Sequence, residues 1–142
     1  MNYEARMYAD GGARGNPGPA AGGAVIFKLD ADGNQIERLA EVGKYYDHAT
    51  NNVAEYTGII IGLAKAHELG IKNLDVCLDS ELCVKQLNGI YKVKNPALGK
   101  LFLEVYNLKQ HFRHITFRHV RRAFNTEADA VVNKTIDSNL LM

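Results

Sequence analysis

Little in this sequence marks a secreted, membrane-spanning or cysteine-framed protein. Only 2 of its 142 residues are cysteine. Cys77 and Cys83 lie six apart, which matches neither a zinc knuckle nor a redox pair. Both are read as inert buried thiols, the usual state of free cysteine. Apolar stretches such as Ile59-Ile60-Ile61 fall far short of the ~20 residues a membrane helix needs. The first twenty residues are polar and glycine-rich and lack the apolar core of a secretory signal. A cytoplasmic location without a membrane partner is therefore expected, and the sequon-like Asn133-Lys134-Thr135 is accidental in that setting. No repeat, low-complexity tract or linker interrupts the chain, so residues 1–142 are expected to form one domain around one core.

Overall charge is also nearly absent, at +1, yet its distribution is uneven. Residues 1–84 carry 7 Lys+Arg against 12 Asp+Glu, a net of −5, while residues 85–142 carry 10 against 4, a net of +6. Acidic chemistry in the first half and a polyanionic partner steered by the second would produce that pattern. An unevenly decorated, solvated surface would produce it too.

The hydrophobic periodicity predicts strands over residues 4–10, 21–29 and 35–46, the last two joined by the turn Asp30-Ala31-Asp32-Gly33-Asn34. A glycine- and proline-rich loop is expected over residues 11–19. It is not a phosphate-binding P-loop, because it lacks the Gly-Lys-Ser/Thr ending and does not open a helix. Residues 50–69 read as the strongest helix, capped by Thr50 or Asn51 and closed by Gly70. Gly58, Gly62 and Ala66 form a small-residue stripe on it, suited to close backbone packing. A short buried strand over 73–78, helices over 80–87 and 96–112, a strand over 115–120 and a helix from Thr126 complete the order. Three strands followed by strands alternating with helices describe a mixed sheet covered by helices, an α/β fold.

Two strand ends in this order are alike: Met7-Tyr8-Ala9-Asp10-Gly11 and Val76-Cys77-Leu78-Asp79-Ser80. If the two strands are parallel neighbours joined by the 50–69 helix, both aspartates emerge at the carboxyl edge of the sheet, where ligands bind in open α/β folds. Glu55, early in that helix, and Asp129, in the first turn of the last one, are placed to reach the same spot. Carboxylates gathered within a few ångströms repel and raise one another's pKa unless a cation joins them. An all-oxygen donor set selects hard ions, Mg²⁺ or Mn²⁺. Two such ions about 3.5–4 Å apart are a standard device for phosphodiester hydrolysis. Each residue alone has a plainer explanation. Asp10 suits a turn, Asp79-Ser80 a helix cap, Glu55 a solvated face, and Asp129 a helix start. It is their convergence that points to chemistry.

Asp10-Gly11-Gly12, Gly15-Asn16-Pro17-Gly18-Pro19, Thr50-Asn51-Asn52-Val53-Ala54-Glu55, Asp79-Ser80 and Asn125-Thr126-Glu127-Ala128-Asp129, in this order, resemble type 1 ribonuclease H. The resemblance spans about residues 3–136, and the segment from Gln86 to Pro96 is similar to the compact prokaryotic and archaeal-type branch. It implies a ribonuclease H-like fold: a five-stranded mixed sheet of order 3-2-1-4-5 flanked by helices. It also implies an endonuclease that cuts the RNA strand of RNA–DNA hybrids with two Mg²⁺ ions per site, Mn²⁺ being a possible substitute, leaving 5′-phosphate and 3′-hydroxyl ends. By the same resemblance Asp10 would bridge both ions, Asp129 would complete the one that activates water, and Glu55 and Asp79 the one at the leaving oxygen. Gly11, Gly12 and Asn51 would meet ribose 2′-hydroxyls, and Asn16, Thr50 and Asn52 would seat the sugar–phosphate backbones. A monomer with no obligate protein partner is implied.

Three departures from the family pattern stand out. The loop that often carries a histidine is short here, His119-Val120-Arg121-Arg122-Ala123-Phe124-Asn125. Arg122 is nearest in register and is expected to assist electrostatically, since a guanidinium cannot act as a base near pH 7. His119 is the other candidate for proton transfer, with packing at a strand end as its alternative. Glu81 replaces a glutamine common after the Asp-Ser pair. A long basic protrusion is missing, leaving Lys85, Lys92, Lys94, Arg121 and Arg122 as substitutes and Tyr45, Tyr46 and Tyr91 as candidates for base stacking. Two other functions remain open from sequence: a hybrid-binding module without catalysis, and a nuclease of this fold acting on other duplexes.

Overall fold

The computed structural model describes residues 2–141. Its strands are β1 (Ala5–Ala13), β2 (Gly18–Leu29), β3 (Gln35–Ala49), β4 (Asn73–Leu78) and β5 (His114–His119). Its helices are α1 (Asn51–Glu68), α2 (Glu81–Leu87), α3 (Pro96–Lys109) and α4 (Thr126–Leu140), with a short 3-10 turn over Arg122–Phe124. The five strands form one sheet in the order β3-β2-β1-β4-β5. β1 pairs antiparallel with β2 and parallel with β4, and β5 pairs parallel with β4. This is the mixed order expected from sequence.

Alternation along β1 sends Ala5, Met7 and Ala9 into the core beneath α1, and leaves Arg6, Tyr8 and Asp10 half-buried on the opposite face. Strand β4, flanked on both sides by parallel neighbours, is buried over Leu74–Leu78, as a central parallel strand should be. Helix α1 can lie close to the sheet because the stripe beneath it has almost no side chains. A Cβ added to Gly58 would sit 2.3 Å from the Asp10 carbonyl oxygen, and one added to Gly62 2.6 Å from Met7 Sδ. Thr50 caps α1 by accepting from the Val53 amide at 3.3 Å. Gly70, at φ +80°, turns the chain out of it.

The expected loop over residues 11–19 begins later than the glycines suggested. Gly11, Gly12 and Ala13 continue β1, opposite Gly22, Ala21 and Ala20 of β2. The lack of bulk at Gly11 serves packing rather than turning, since a Cβ there would be 2.1 Å from the carbonyl carbon of Ala54 in α1. β3 also runs three residues past its expected end at 46, extending its ladder with β2 up to Ala49 opposite Gly18. α3 stops at Lys109, before the expected 112, and Phe112 is buried in the turn that follows.

One consequence of this register matters most for the site. β1 stays paired with β2 as far as Ala13, but its pairing with β4 ends at Ala9 opposite Leu78. Beyond that point the two parallel strands part, and Asp10 and Asp79 stand at the mouth of the gap.

Two glycine substitutions should therefore have opposite signs. Gly58→Ala gains about 1 kcal/mol of helix propensity but forces a methyl group into the backbone of β1. It should lower stability by roughly 1–3 kcal/mol or more, as overpacking does. Gly99→Ala in α3 meets nothing within 4 Å and should raise stability by up to ~1 kcal/mol. Thermal melts of the two variants check both signs.

Candidate active site

Each carboxylate is delivered by a different element. Asp10 follows Ala9, whose carbonyl oxygen accepts from Asn125 Nδ2 at 3.0 Å. Asn125 is fully buried and stands immediately before α4. It ties the start of the helix that carries Asp129 to the strand that carries Asp10. Asp79 follows the last residue of β4 and precedes Ser80, whose hydroxyl caps α2 by accepting from the Cys83 amide at 3.2 Å. Glu55 lies in the first turns of α1, and its Oε2 accepts from the Cys83 thiol at 3.2 Å.

Asp10, Glu55 and Asp79 each offer an oxygen such that all three lie within 4.8 Å of one another. They share a recess with Ala9, Ile59, Leu78, Ser80 and Cys83. Charges this close repel on the order of 3 kcal/mol per pair at an effective dielectric of about 20. The result shows in Asp10, whose pKa is pushed up to about 8, first by burial and then by Asp79, against the Gly11 amide, with Asp129 and Glu55 adding to the rise. Glu55 is also raised by burial and by Asp79, while Cys83, Ser80 and the charge of Arg122 oppose that. Burial and the neighbouring Glu55 push the Cys83 thiol up to about 12, so it is a neutral donor. Three half-buried carboxylates, with no imidazole or thiolate among their donor atoms, fit a hard divalent cation.

Asp129 is placed differently. It is exposed in the first turn of α4, its Oδ2 accepts from Asn133 Nδ2 at 3.3 Å, and it stands outside the tight trio. Its charge nonetheless contributes to the raised pKa of Asp10. The two candidates of the short loop also separate. Arg122 sits in the 3-10 turn with its charge acting on Glu55. His119 ends β5, exposed, with its charge acting on Glu81.

The expected substrate residues cluster at the start of α1. Asn16 Oδ1 accepts from the Asn51 amide at 3.0 Å, and Asn51 Oδ1 accepts from the Ala13 amide at 2.8 Å. These bonds use the carbonyl ends of both side chains and leave their Nδ2 groups without a hydrogen bond among the described residues. Asn16, Thr50 and Asn52 line one groove with Asn95 and Leu98 at the start of α3. Gly12 lies at the free rim of β1, where an added Cβ would meet nothing. Glu81 is exposed and paired with Lys85 at 2.8 Å. The same lysine lies 5.1 Å from the ring centre of Tyr91, which is exposed. The other two tyrosines pack instead: Tyr46 shares a hydrogen bond with Thr57 at 3.1 Å, and Tyr45 lies against the Val132–Ile136 cluster.

Two contacts were not legible in sequence. Cys83, an inert buried thiol as expected, holds a site carboxylate. Ser80, expected as a helix cap, positions Cys83, and Asn125 couples Asp129 to Asp10. The first was legible only as a cysteine four residues beyond Asp79, one helical turn along. No periodicity rule predicts its bond to Glu55.

The fold and this site define the class: an α/β domain that gathers carboxylates where a parallel pair of strands parts. Comparison with known proteins narrows it. A family model described as reverse transcriptase-like matches residues 8–135. The bifunctional protein Rv2228c of Mycobacterium tuberculosis is 45% identical over 130 residues, and its N-terminal RNase H domain superposes with a TM-score of 0.88 over 96% of both chains. Ribonuclease HI of Halobacterium salinarum is 38% identical over 130 residues. LC11-RNase H1, solved in complex with an RNA/DNA hybrid, is 40% identical, with a TM-score of 0.84 over 96% of this chain and 99% of its own. The matched region takes up 92% of this chain but 35% of the mycobacterial protein and 63% of the halobacterial one. The chain belongs to the type 1 ribonuclease H family.

Two measurements probe the electrostatics. Asp10 has a folded pKa near 8, against an ordinary value of 3.8, so the folded chain holds a proton that the unfolded chain has lost. Between about pH 4 and 8 the metal-free protein should therefore lose stability as pH rises, and level off above 8. Asp10→Asn lacks that loss. Its melting temperature should exceed wild type by a margin that widens up to about pH 8 and narrows when Mg²⁺ is added. Cys83→Val keeps the site apolar with slightly more bulk but removes the donor to Glu55, whereas Cys83→Ser keeps a donor. Valine should weaken Mg²⁺ binding severalfold in calorimetry, by about the 1 kcal/mol of one hydrogen bond, and serine should largely restore it.

Proposed function

We propose that this chain is an endoribonuclease that hydrolyses the RNA strand of RNA–DNA hybrids. The observation that carries the proposal is the convergence of Asp10, Glu55 and Asp79 within 4.8 Å on the scaffold of a family whose member LC11-RNase H1 has been solved with such a hybrid. In this proposal the 142 residues work as one ribonuclease H domain.

Asp10, Glu55 and Asp79 would hold divalent cations, Mg²⁺ or Mn²⁺, and Asp129 would complete the set from the exposed side. Such ions supply Lewis-acid stabilisation of the phosphoryl group and a nucleophilic hydroxide near neutral pH. The chain's own residues do the rest. Asp10 takes the central position, because its charge is coupled to all three partners. Cys83 donates to Oε2 of Glu55 and so fixes that carboxylate beside the recess. Arg122 offsets negative charge beside Glu55 and gives the phosphate a cationic neighbour, without exchanging a proton. The amide nitrogens of Asn16 and Asn51, without a partner among the described residues, donate to the sugar–phosphate backbone, which the bare rim at Gly12 lets approach. Short amides can donate to a 2′-hydroxyl, the group that separates RNA from DNA.

The test is cleavage of an end-labelled hybrid with Mg²⁺ or with EDTA, beside matched RNA and DNA duplexes. Cutting should require the cation, be confined to the RNA strand of the hybrid, and leave 5′-phosphate and 3′-hydroxyl ends. Asp10→Asn should lower it by about a thousandfold or more, roughly 4 kcal/mol of lost transition-state stabilisation. Arg122→Ala should raise KM severalfold, while His119→Ala should stay near wild type. Cation-independent cutting, or Asp10→Asn within tenfold of wild type, refutes the proposal.

A further inference from the structure

The sheet face opposite α1 carries a second constellation that the acid cluster does not use. Asp75, in the middle of β4, is only 3% exposed. It accepts from Arg6 Nε at 2.8 Å, from Arg118 Nε at 3.0 and 3.1 Å, and from the Thr116 hydroxyl at 3.2 Å. Two guanidiniums on one carboxylate leave a net positive charge on this cluster. Anchored through Nε, Arg118 has Nη1 and Nη2 without a hydrogen bond among the described residues, and its side chain is 49% exposed.

Just past Arg118 the chain turns through Val120 into the 3-10 turn. There Phe124 stands 63% exposed, with the Arg121 guanidinium 5.7 Å from its ring centre. Tyr8, Arg118, His119, Val120, Arg121 and Phe124 line one pocket. Neither the core nor the carboxylates account for an exposed ring beside two arginines. A guanidinium whose fork is held in advance by a buried carboxylate matches the geometry of a phosphate. An exposed ring gives any base a surface on which to stack.

We propose that this pocket binds one nucleotide of a single-stranded nucleic acid, its phosphate on Arg118 and Arg121 and its base on Phe124. The choice of nucleic acid rests on the function proposed above. The turn that forms the pocket also carries Arg122, whose charge acts on Glu55, so the pocket and the acid cluster share one short segment of chain. A strand end released at the carboxylates has this pocket as its neighbour across that turn.

The experiment uses the whole chain in EDTA, so that nothing is cut. Inorganic phosphate, adenosine 5′-monophosphate and a 5′-phosphorylated hexaadenylate RNA are titrated while Arg118 Nε and the Phe124 ring are followed by NMR. Adenosine monophosphate should shift both groups, and the hexamer should bind more tightly. Phe124→Ala, whose exposed ring bears little on folding, should weaken adenosine monophosphate and hexamer binding by at least about fivefold through lost stacking, and leave phosphate unchanged. Arg118→Lys, which keeps a cation beside Asp75, should weaken all three. The proposal is overturned if Phe124→Ala binds adenosine monophosphate as wild type does, if the shifts stay within the carboxylate recess, or if the hexamer binds no tighter than the mononucleotide. Hybrid cleavage by wild type with Mg²⁺ is measured in parallel. Its failure would remove the proposed function, while the titrations would still decide whether the pocket binds a nucleotide.

Discussion

Mutual repulsion among carboxylates at the point where β1 and β4 separate is the constraint on which the rest of this structure depends. Folding brings Asp10, Glu55 and Asp79 to within 4.8 Å, and no described residue neutralises them in full. Arg122 is one exposed cation for a cluster of acids. The arrangement persists because packing elsewhere is strong enough to impose it. α1 rests on glycines, β4 is buried over five consecutive residues, and Asn125 clamps α4 to β1. A protonated Asp10 relieves the repulsion in the absence of a cation. Stability and chemistry are thus opposed at one spot, as they are wherever charges are prepared for an ion.

Small side chains act in the same direction. Gly11, Gly22 and Gly58 let α1 approach β1 and β2 at backbone contact, and Gly62 makes room for the side chains of Met7 and Ala24. That closeness is what brings Glu55, on the helix, within reach of Asp10, on the strand. The glycines after Asp10 therefore define the site twice. They bring the helix down, and at Gly12 they leave a bare backbone rim beside the acids.

The alternation of strands and helices, the likeness of the two Asp-bearing strand ends and the small stripe on α1 were legible in sequence, because each follows from a period, a spacing or a missing Cβ; the strand order was implied only by the family resemblance. The extension of β1 through Gly11 and Gly12 was not. Consecutive glycines after an apolar strand signal a turn in local chemistry, and only the ladder with β2 shows that they continue the strand. Among site residues, Asp10, Glu55, Asp79 and Asp129 were read as four carboxylates converging on one spot, and the structure brings the first three within 4.8 Å of one another. That Asp129 stands further out and more exposed depends on the placement of α4, which no local pattern specifies. Cys83 is the buried, neutral thiol expected, but its hydrogen bond to a carboxylate 28 residues away is a tertiary event that no spacing specifies. Three tyrosines proposed for stacking reduce to one exposed ring, since burial of Tyr45 and Tyr46 depends on where α1 and α4 lie.

Asp75 and Asp10, on adjacent strands, show how surroundings assign a role to one side-chain type. Burial pushes the Asp75 carboxyl up, but hydrogen bonds from Arg118 and Arg6 outweigh it and hold the group below the ordinary carboxylate range. Burial also pushes Asp10 up, and there the neighbours are acids that add to the rise. The first aspartate is electrostatically complete and turns the cationic ends of its partners outward. The second is electrostatically incomplete, and a proton offsets its neighbours where no cation does. One chain thus presents an anionic recess and a cationic pocket on either side of a single short turn, from Val120 to Asn125. A nucleic acid needs both kinds of surface, since its phosphates are drawn to guanidiniums and reach carboxylates only across a metal ion. The sign change across that turn, more than the net charge of the molecule, determines how a polyanion can approach the carboxylates.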